Sequence, residues 1–222
     1  MPTIVDLTLP IESHFRWPTE RKLRGDFARG DNFQITYLGL VVHGFTHVDS
    51  PRHIVPDGAT TSDLSLDRLV GEAAVVDLAD TAPESAISAD ILADRGEHIR
   101  PGDIVLLKTC WDQKRSHHDE TFWTTSPYLT REACEWLFQR EIKALGVDFP
   151  QDYPIRELLG GRTPPMTEFV SHDVLLRRGV VLIEYLCNLG ALASPRTTVI
   201  ALPMKVPEAD GAPARVIALE PD

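Results

Sequence analysis

The 222-residue chain has only three cysteines, Cys110, Cys134 and Cys187, and no C-x-x-C pair. An odd number at wide spacing argues against a disulfide framework and fits reduced, packed thiols. No apolar run approaches the roughly 18 residues of a membrane span, and no charged-then-apolar leader opens the chain. Cationic residues are short: 22 Lys and Arg stand against 33 Asp and Glu, a formal net charge of −11. Such a chain lacks the basic face that nucleic acid or an anionic membrane requires. It has no G-x-S-x-G elbow for a nucleophilic serine, and "LGGR" (159–162) is too short for a phosphate-binding loop. These absences predict a cytoplasmic protein whose partner is a small molecule rather than nucleic acid or membrane.

What is present is the composition of a globular protein, 43% hydrophobic and 25% charged, with 17 prolines that imply ordered loops. One domain over 1–222 is expected. Short apolar runs at 3–11, 33–42, 73–79, 103–109, 142–148, 180–186, 197–202 and 214–219 read as strands. Between them, "SADILADRG" has Ser88 as N-cap and Gly96 as stop, and "TREACEWLFQR" is capped by Thr130. "SHDVLLRRG" runs from Ser171 as cap to Gly179. The alternation predicts an α/β fold: a single domain with a central mixed, curved sheet flanked by helices.

Two clusters carry chemistry. "HGFTHVDSPRH" (43–53) places His43, His47, Asp49 and His53 in eleven residues, in a chain with eight histidines. A helix would turn Asp49 away from His47, and Gly44 and Pro51 oppose one. In an extended strand His43, His47 and Asp49 fall on one face. Two imidazoles and a carboxylate suit Zn²⁺ or Mn²⁺, and without a cysteine the set suits an open, catalytic site better than a closed structural one. In the second cluster, Glu184 ends the apolar run 180–183, where a buried carboxylate needs a partner or a metal. His172 opens the preceding helix, and a helix that reverses into a strand brings the two within reach.

Together these residues resemble the metal-dependent cyclase-like hydrolases, the family that includes bacterial kynurenine formamidase and isatin hydrolase. Its signature, approximately H-x-G-T-H-x-D-x-P-x-H, reads here from His43 to His53. "IVDLTLPI", "LLKTCW", "LGVDFPQD" and "LPMKVPEADGAPARVIAL" extend the resemblance over most of the chain. It implies a cyclase-like fold in which His43, His47 and Asp49 bind a first metal. Asp49 would bridge to a second metal held by His172 and Glu184, giving one or two ions per chain, Zn²⁺ first and Mn²⁺ as the alternative. His53 would stand off the metal as general acid/base. Trp17 would border the substrate and reach towards a neighbouring subunit in a homodimer or homotetramer. Three positions depart from the pattern. Phe45 stands at the motif glycine and alters the backbone or the pocket wall, and is taken with Trp17 as substrate-binding. Cys110 replaces the glycine of "TGW", and Gln151 a serine.

The implied reaction is hydrolysis of a C–N amide bond, with the aryl formamide N-formylkynurenine as first substrate and a small cyclic amide or lactone as alternative. A catalytically silent metal-binding protein would share every ligand, but it has no use for His53 as a proton carrier. The acidic stretches "DLSLDRL" and "ADTAPESAISAD" raise the further alternative of an interaction protein, although solvated loops explain them more simply. His117 and His118, in the loop 111–123, are expected to be solvent-exposed.

Overall fold

Four of the eight apolar runs, at 73–79, 103–109, 142–148 and 180–186, form strands buried on both faces, as central strands of a helix-covered sheet must be. A computed structural model describes residues 2–221. In chain order the strands are β1 (Thr3–Asp6), β2 (Thr19–Gly25), β3 (Ile35–Leu40), β4 (His47–Asp49), β5 (Val70–Asp77) and β6 (Ala86–Ile87). They continue with β7 (Ile104–Lys108), β8 (Tyr128–Leu129), β9 (Ala144–Val147), β10 (Val181–Glu184), β11 (Arg196–Pro203) and β12 (Gly211–Glu220). The helices are α1 (Ala89–Arg95), α2 (Trp111–Lys114), α3 (Glu120–Thr124), α4 (Arg131–Gln139), α5 (Ile155–Leu158) and α6 (Val170–Val174).

The main sheet runs β1-β12-β11-β5-β7-β9-β10-β4, and β4 also pairs with β12. That second pairing closes seven strands into a barrel, with β1 added outside on β12. The members β5, β7, β9 and β10 are parallel; β4, β11 and β12 run antiparallel to their neighbours. The expected α/β domain with a mixed, curved sheet is what forms, and the curvature goes to closure.

Strand alternation sorts the side chains into two cores. Ala73, Val75, Ile104, Leu106, Ala144, Ile183 and Val48 point into the barrel. Their neighbours Ala74, Val76, Val105, Leu107, Leu145 and Leu182 point out, under the helices. The interior is narrow: a Cβ on Gly146 would lie 2.6 Å from Leu106 Cδ2 and 2.9 Å from Leu186 Cδ1. Because Val48 points in, His47 and Asp49 must point out, towards the helical layer.

Ser88 and Thr130 cap α1 and α4 as expected, accepting from the Ile91 and Ala133 N–H groups. Ser171 does not cap. It lies inside α6, and a separate 3₁₀ turn, Leu176–Arg178, leads to left-handed Gly179. The run 33–42 is a strand, but not of the barrel: β3 pairs with β2, which the charged sequence "TERKLRG" did not suggest, in an exposed hairpin. No helix among the described residues is long and apolar enough to cross a membrane.

Candidate metal centre

The centre forms where β4 meets β10 on the outer face of the barrel. Their antiparallel register sets Glu184 opposite His47. β12 flanks the other edge of β4 and sets Gly211 opposite Asp49. His43 is not on the strand, contrary to the single-face reading. It sits in a turn before β4. The turn is tied down by Thr46, whose hydroxyl donates to Tyr185 O at 2.6 Å and accepts the Leu9 N–H at 2.8 Å. His43 then folds back over β12: a Cβ on Gly211 would lie 2.6 Å from its Cε1 and 3.3 Å from Asp49 Oδ1. The glycine leaves room for the ring.

Three imidazoles surround the Asp49 carboxylate. His43 Nδ1 lies 2.7 Å from Oδ1, His47 Nε2 3.1 Å from Oδ1, and His172 Nε2 3.5 Å from Oδ2. Glu184 adds its oxygens at 3.8 Å from His47 Nε2 and 3.4 Å from His172 Nε2. In each ring the other nitrogen is held by an acceptor. His43 Nε2 meets Asp210 Oδ2 at 2.7 Å, His47 Nδ1 donates to Phe45 O at 2.9 Å, and His172 Nδ1 meets Asp152 Oδ2 at 2.6 Å. Acceptors behind the rings direct the free lone pairs inward, the usual outer support of a metal-bound histidine.

The cluster suits a divalent metal. His47 Nε2 is buried and has no hydrogen-bond partner, although it faces two carboxylates. Asp49 and Glu184 are also buried, at 1% and 4% exposure, and neither receives a hydrogen bond from Lys or Arg among the described residues. His47, Asp49 and Glu184 offer donor atoms within 4.8 Å of one another, as do His43, Asp49 and His53. Without a cation, protons carry the compensating charge. Burial pulls His43 down, but the Asp49 and Asp210 carboxylates outweigh it and hold the ring at about 9. His172 is likewise depressed by burial and raised well above its ordinary value by Asp152, Asp49 and Glu184. Burial pushes Asp49 up, yet the surrounding histidines hold it well below the usual carboxylate range. Glu184 is raised, by burial first and by the charge of Asp49 second.

The remaining expected residues divide. His53 ends the turn Pro51–His53 just past β4. Its ring centroid is 3.9 Å from that of His43, and Nδ1 lies 3.5 Å from Asp210 Oδ2. Burial lowers it below the ordinary histidine value, against the raising effect of Asp49 and Asp210, and so favours the uncharged ring. Together with His43 and His172 it faces a cleft of about 650 Å³, walled by Phe15, Trp17, Val41, Leu158 and Phe169 among others. Trp17 is thus in the wall. Phe45 is not: its side chain is fully buried beneath Trp17, with ring centroids 4.9 Å apart, and cannot reach a molecule in the cleft. Its backbone is what counts. Phe45 is left-handed at φ 58°, which turns its carbonyl onto His47. That conformation costs a non-glycine residue roughly 1–2 kcal/mol, offset here by the aromatic packing.

The loop after β9 supplies residues that the motif did not reveal. Asp152 accepts from the Ser171 N–H and hydroxyl, both at 2.7 Å, as well as facing His172. The Gln151 side chain donates to Glu184 and, at 3.1 Å, to Ser171 Oγ. Asp210, which orients His43 and lies beside His53, precedes a glycine far from either cluster in sequence. The signal available was a buried-looking "VDFPQD" with two carboxylates that nothing local could pair.

The family model Putative cyclase matches residues 5–151. The chain belongs to the Cyclase family. An isatin hydrolase of Roseibium aggregatum is 30% identical, over 86% of this chain and 77% of its own. A kynurenine formamidase of Erythrobacter litoralis is also 30% identical, over 90% and 83%. A crystal structure of an isatin hydrolase bound to the product analogue thioisatinate superposes with a TM-score of 0.82 at 26% identity, covering 99% of this chain and 92% of that one. The closed barrel described above is therefore a cyclase-family scaffold, and the outward-facing cluster lies at its β4–β10 seam.

Proposed function

We propose that this cyclase-family chain is a metal-dependent hydrolase of a C–N amide bond, acting on an aryl formamide with N-formylkynurenine as the first candidate. The observation that carries the reading is the convergence of three back-supported imidazoles on Asp49 and Glu184 at the base of an apolar, aromatic-walled cleft. The names of the relatives support the same reaction class.

In this reading His43, His47 and Asp49 hold one ion, and Asp49, His172 and Glu184 hold a second, with Zn²⁺ preferred and Mn²⁺ the alternative. A bound ion would supply Lewis acidity, lowering the pKa of a water towards about 7 and polarising a carbonyl. The chain's own residues do the rest. Asp210 beside His53 Nδ1 keeps a proton on that nitrogen and leaves Nε2 to carry protons in the cleft. His53 Nε2 takes a proton from the attacking water as its oxygen bonds to the carbonyl carbon, and returns that proton to the departing nitrogen as the C–N bond breaks. Trp17 and Phe15 take up an aryl face, and the walls exclude water. Arg16, also in the cleft wall, supplies a cation for a substrate carboxylate. Assembly as a homodimer or homotetramer is part of the proposal, and the exposed Phe27, Phe33, Ile35 and Leu38 of the β2–β3 hairpin support it.

The test is elemental analysis of purified protein followed by a hydrolysis screen over N-formylkynurenine, formanilides, isatin and lactones. Chelator-sensitive turnover of N-formylkynurenine is expected. Faster turnover of isatin or a lactone would retire the formamide substrate and keep the metal hydrolase; metal-independent turnover would retire both.

A further inference from the structure

A second group of histidines lies outside the centre. His117 and His118 belong to the loop between α2 and α3, and with His14 they offer nitrogen atoms within 4.8 Å of one another. The expected solvent exposure holds for His118, at 41%, but the His117 side chain is only 15% exposed, and its Nε2 is buried with no hydrogen-bond partner. Glu12 completes the group: its Oε1 is 3.0 Å from His118 Nε2 and 3.9 Å from His117 Nε2.

His14 plays a different part. Its Nε2 donates to His117 O at 2.9 Å, while its Nδ1 accepts the backbone N–H groups of Arg16 and Trp17 at 3.1 and 3.3 Å. Both nitrogens are committed, so His14 is a strut and not a donor to anything else. It joins the segment that carries Trp17 to the loop that carries His117, and it stacks on the Trp17 ring at 4.5 Å. Trp123 adds a second tie, its Nε1–H donating to His117 O at 3.0 Å.

We propose that His117, His118 and Glu12 form a second, peripheral site for a divalent transition metal of borderline softness, such as Zn²⁺, Ni²⁺ or Cu²⁺. Two imidazoles and one carboxylate are the donor types such ions select. The remaining coordination positions fall on the solvent side, since His118 and Glu12 are exposed. Burial and the neighbouring His118 and His14 pull His117 down to about 4, so it presents an unprotonated ring at neutral pH. Metal held here would clamp the segment 12–17 onto the loop 116–118 and stiffen the Trp17 wall of the cleft. An unpartnered nitrogen in a merely structural stack has no such use.

The probe is Ni²⁺, titrated into protein whose principal centre is already loaded, with tryptophan fluorescence as the signal and the resident metal counted before and after. Wild type should bind one Ni²⁺ per chain without displacing resident metal, quench tryptophan emission, and gain thermal stability. His118→Ala and Glu12→Ala change exposed side chains and should fold normally with their hydrolytic rate unchanged, but each should weaken Ni²⁺ binding at least tenfold. Equal Ni²⁺ uptake by wild type and His118→Ala would overturn the site, as would uptake matched one for one by loss of resident metal.

Discussion

His172 Nδ1 and Asp152 Oδ2 are 2.6 Å apart in the buried layer between α6 and the end of β9. This contact decides which nitrogen of His172 faces Asp49 and Glu184. Asp152→Asn keeps the shape, but its Oδ1 serves the Ser171 N–H and its amide then points at Nδ1. The ring must move its proton to Nε2, the nitrogen that a metal would need. Removal of such outer partners lowers metal affinity about 10–100-fold. Metal titration of the folded variant checks this, and wild-type affinity would show that the carboxylate does not set the tautomer.

His53 and His43 are ring neighbours with different expected losses. His53→Ala should keep its metal and lose about 10²–10⁴-fold in kcat, the usual worth of general acid–base catalysis. His43→Ala should lose metal and rate together. Metal content measured beside rate separates the two, and a His53→Ala protein that has lost metal would make His53 a ligand.

Gly211→Ala tests how tightly the turn is seated. The new methyl would lie 2.6 Å from His43 Cε1 and 3.0 Å from Nδ1. Overpacking of this kind costs about 1–3 kcal/mol, and here it displaces a proposed ligand, so both denaturant stability and metal occupancy should fall. If neither moves, His43 has somewhere else to go.

Asp148 gives a pH dependence independent of the metal. Burial pushes its carboxyl up, the Thr109 hydroxyl and the Thr109 and Cys110 N–H groups pull it back, and the balance lies at about 7 against an ordinary 3.8. The folded state therefore holds a proton that the unfolded chain loses at lower pH. Its stabilising contribution is complete below pH 3.8 and is lost as pH rises to about 7, by up to about 1.4 kcal/mol per unit. Asp148→Asn removes this dependence, so wild type should exceed the variant in stability by more at pH 5.5 than at pH 8. A difference that stays constant between the two, in urea melts with metal in excess, would mean that Asp148 does not titrate there.

The sequence by itself determined the apolar strands β1, β3, β5, β7, β9, β10, β11 and β12 and the identity of the clustered side chains. Hydrophobic periodicity is local, and the runs at 73–79, 103–109, 142–148 and 180–186 became β5, β7, β9 and β10 because their residues need burial on both faces. The spacing His43, His47, Asp49 was visible too, although the extended-strand explanation held only for the last two. Tertiary structure alone decided that β4 pairs with both β10 and β12, which closes the barrel and brings Glu184 and Gly211 to the flanks of His47 and Asp49. It alone placed Asp210 behind His43, 167 residues away, and Asp152 behind His172. It also removed Phe45 from the cleft and joined His14 to His117. Such contacts depend on strand register and loop path, which are set by the packing of the whole barrel and leave no periodic mark on the residues that make them.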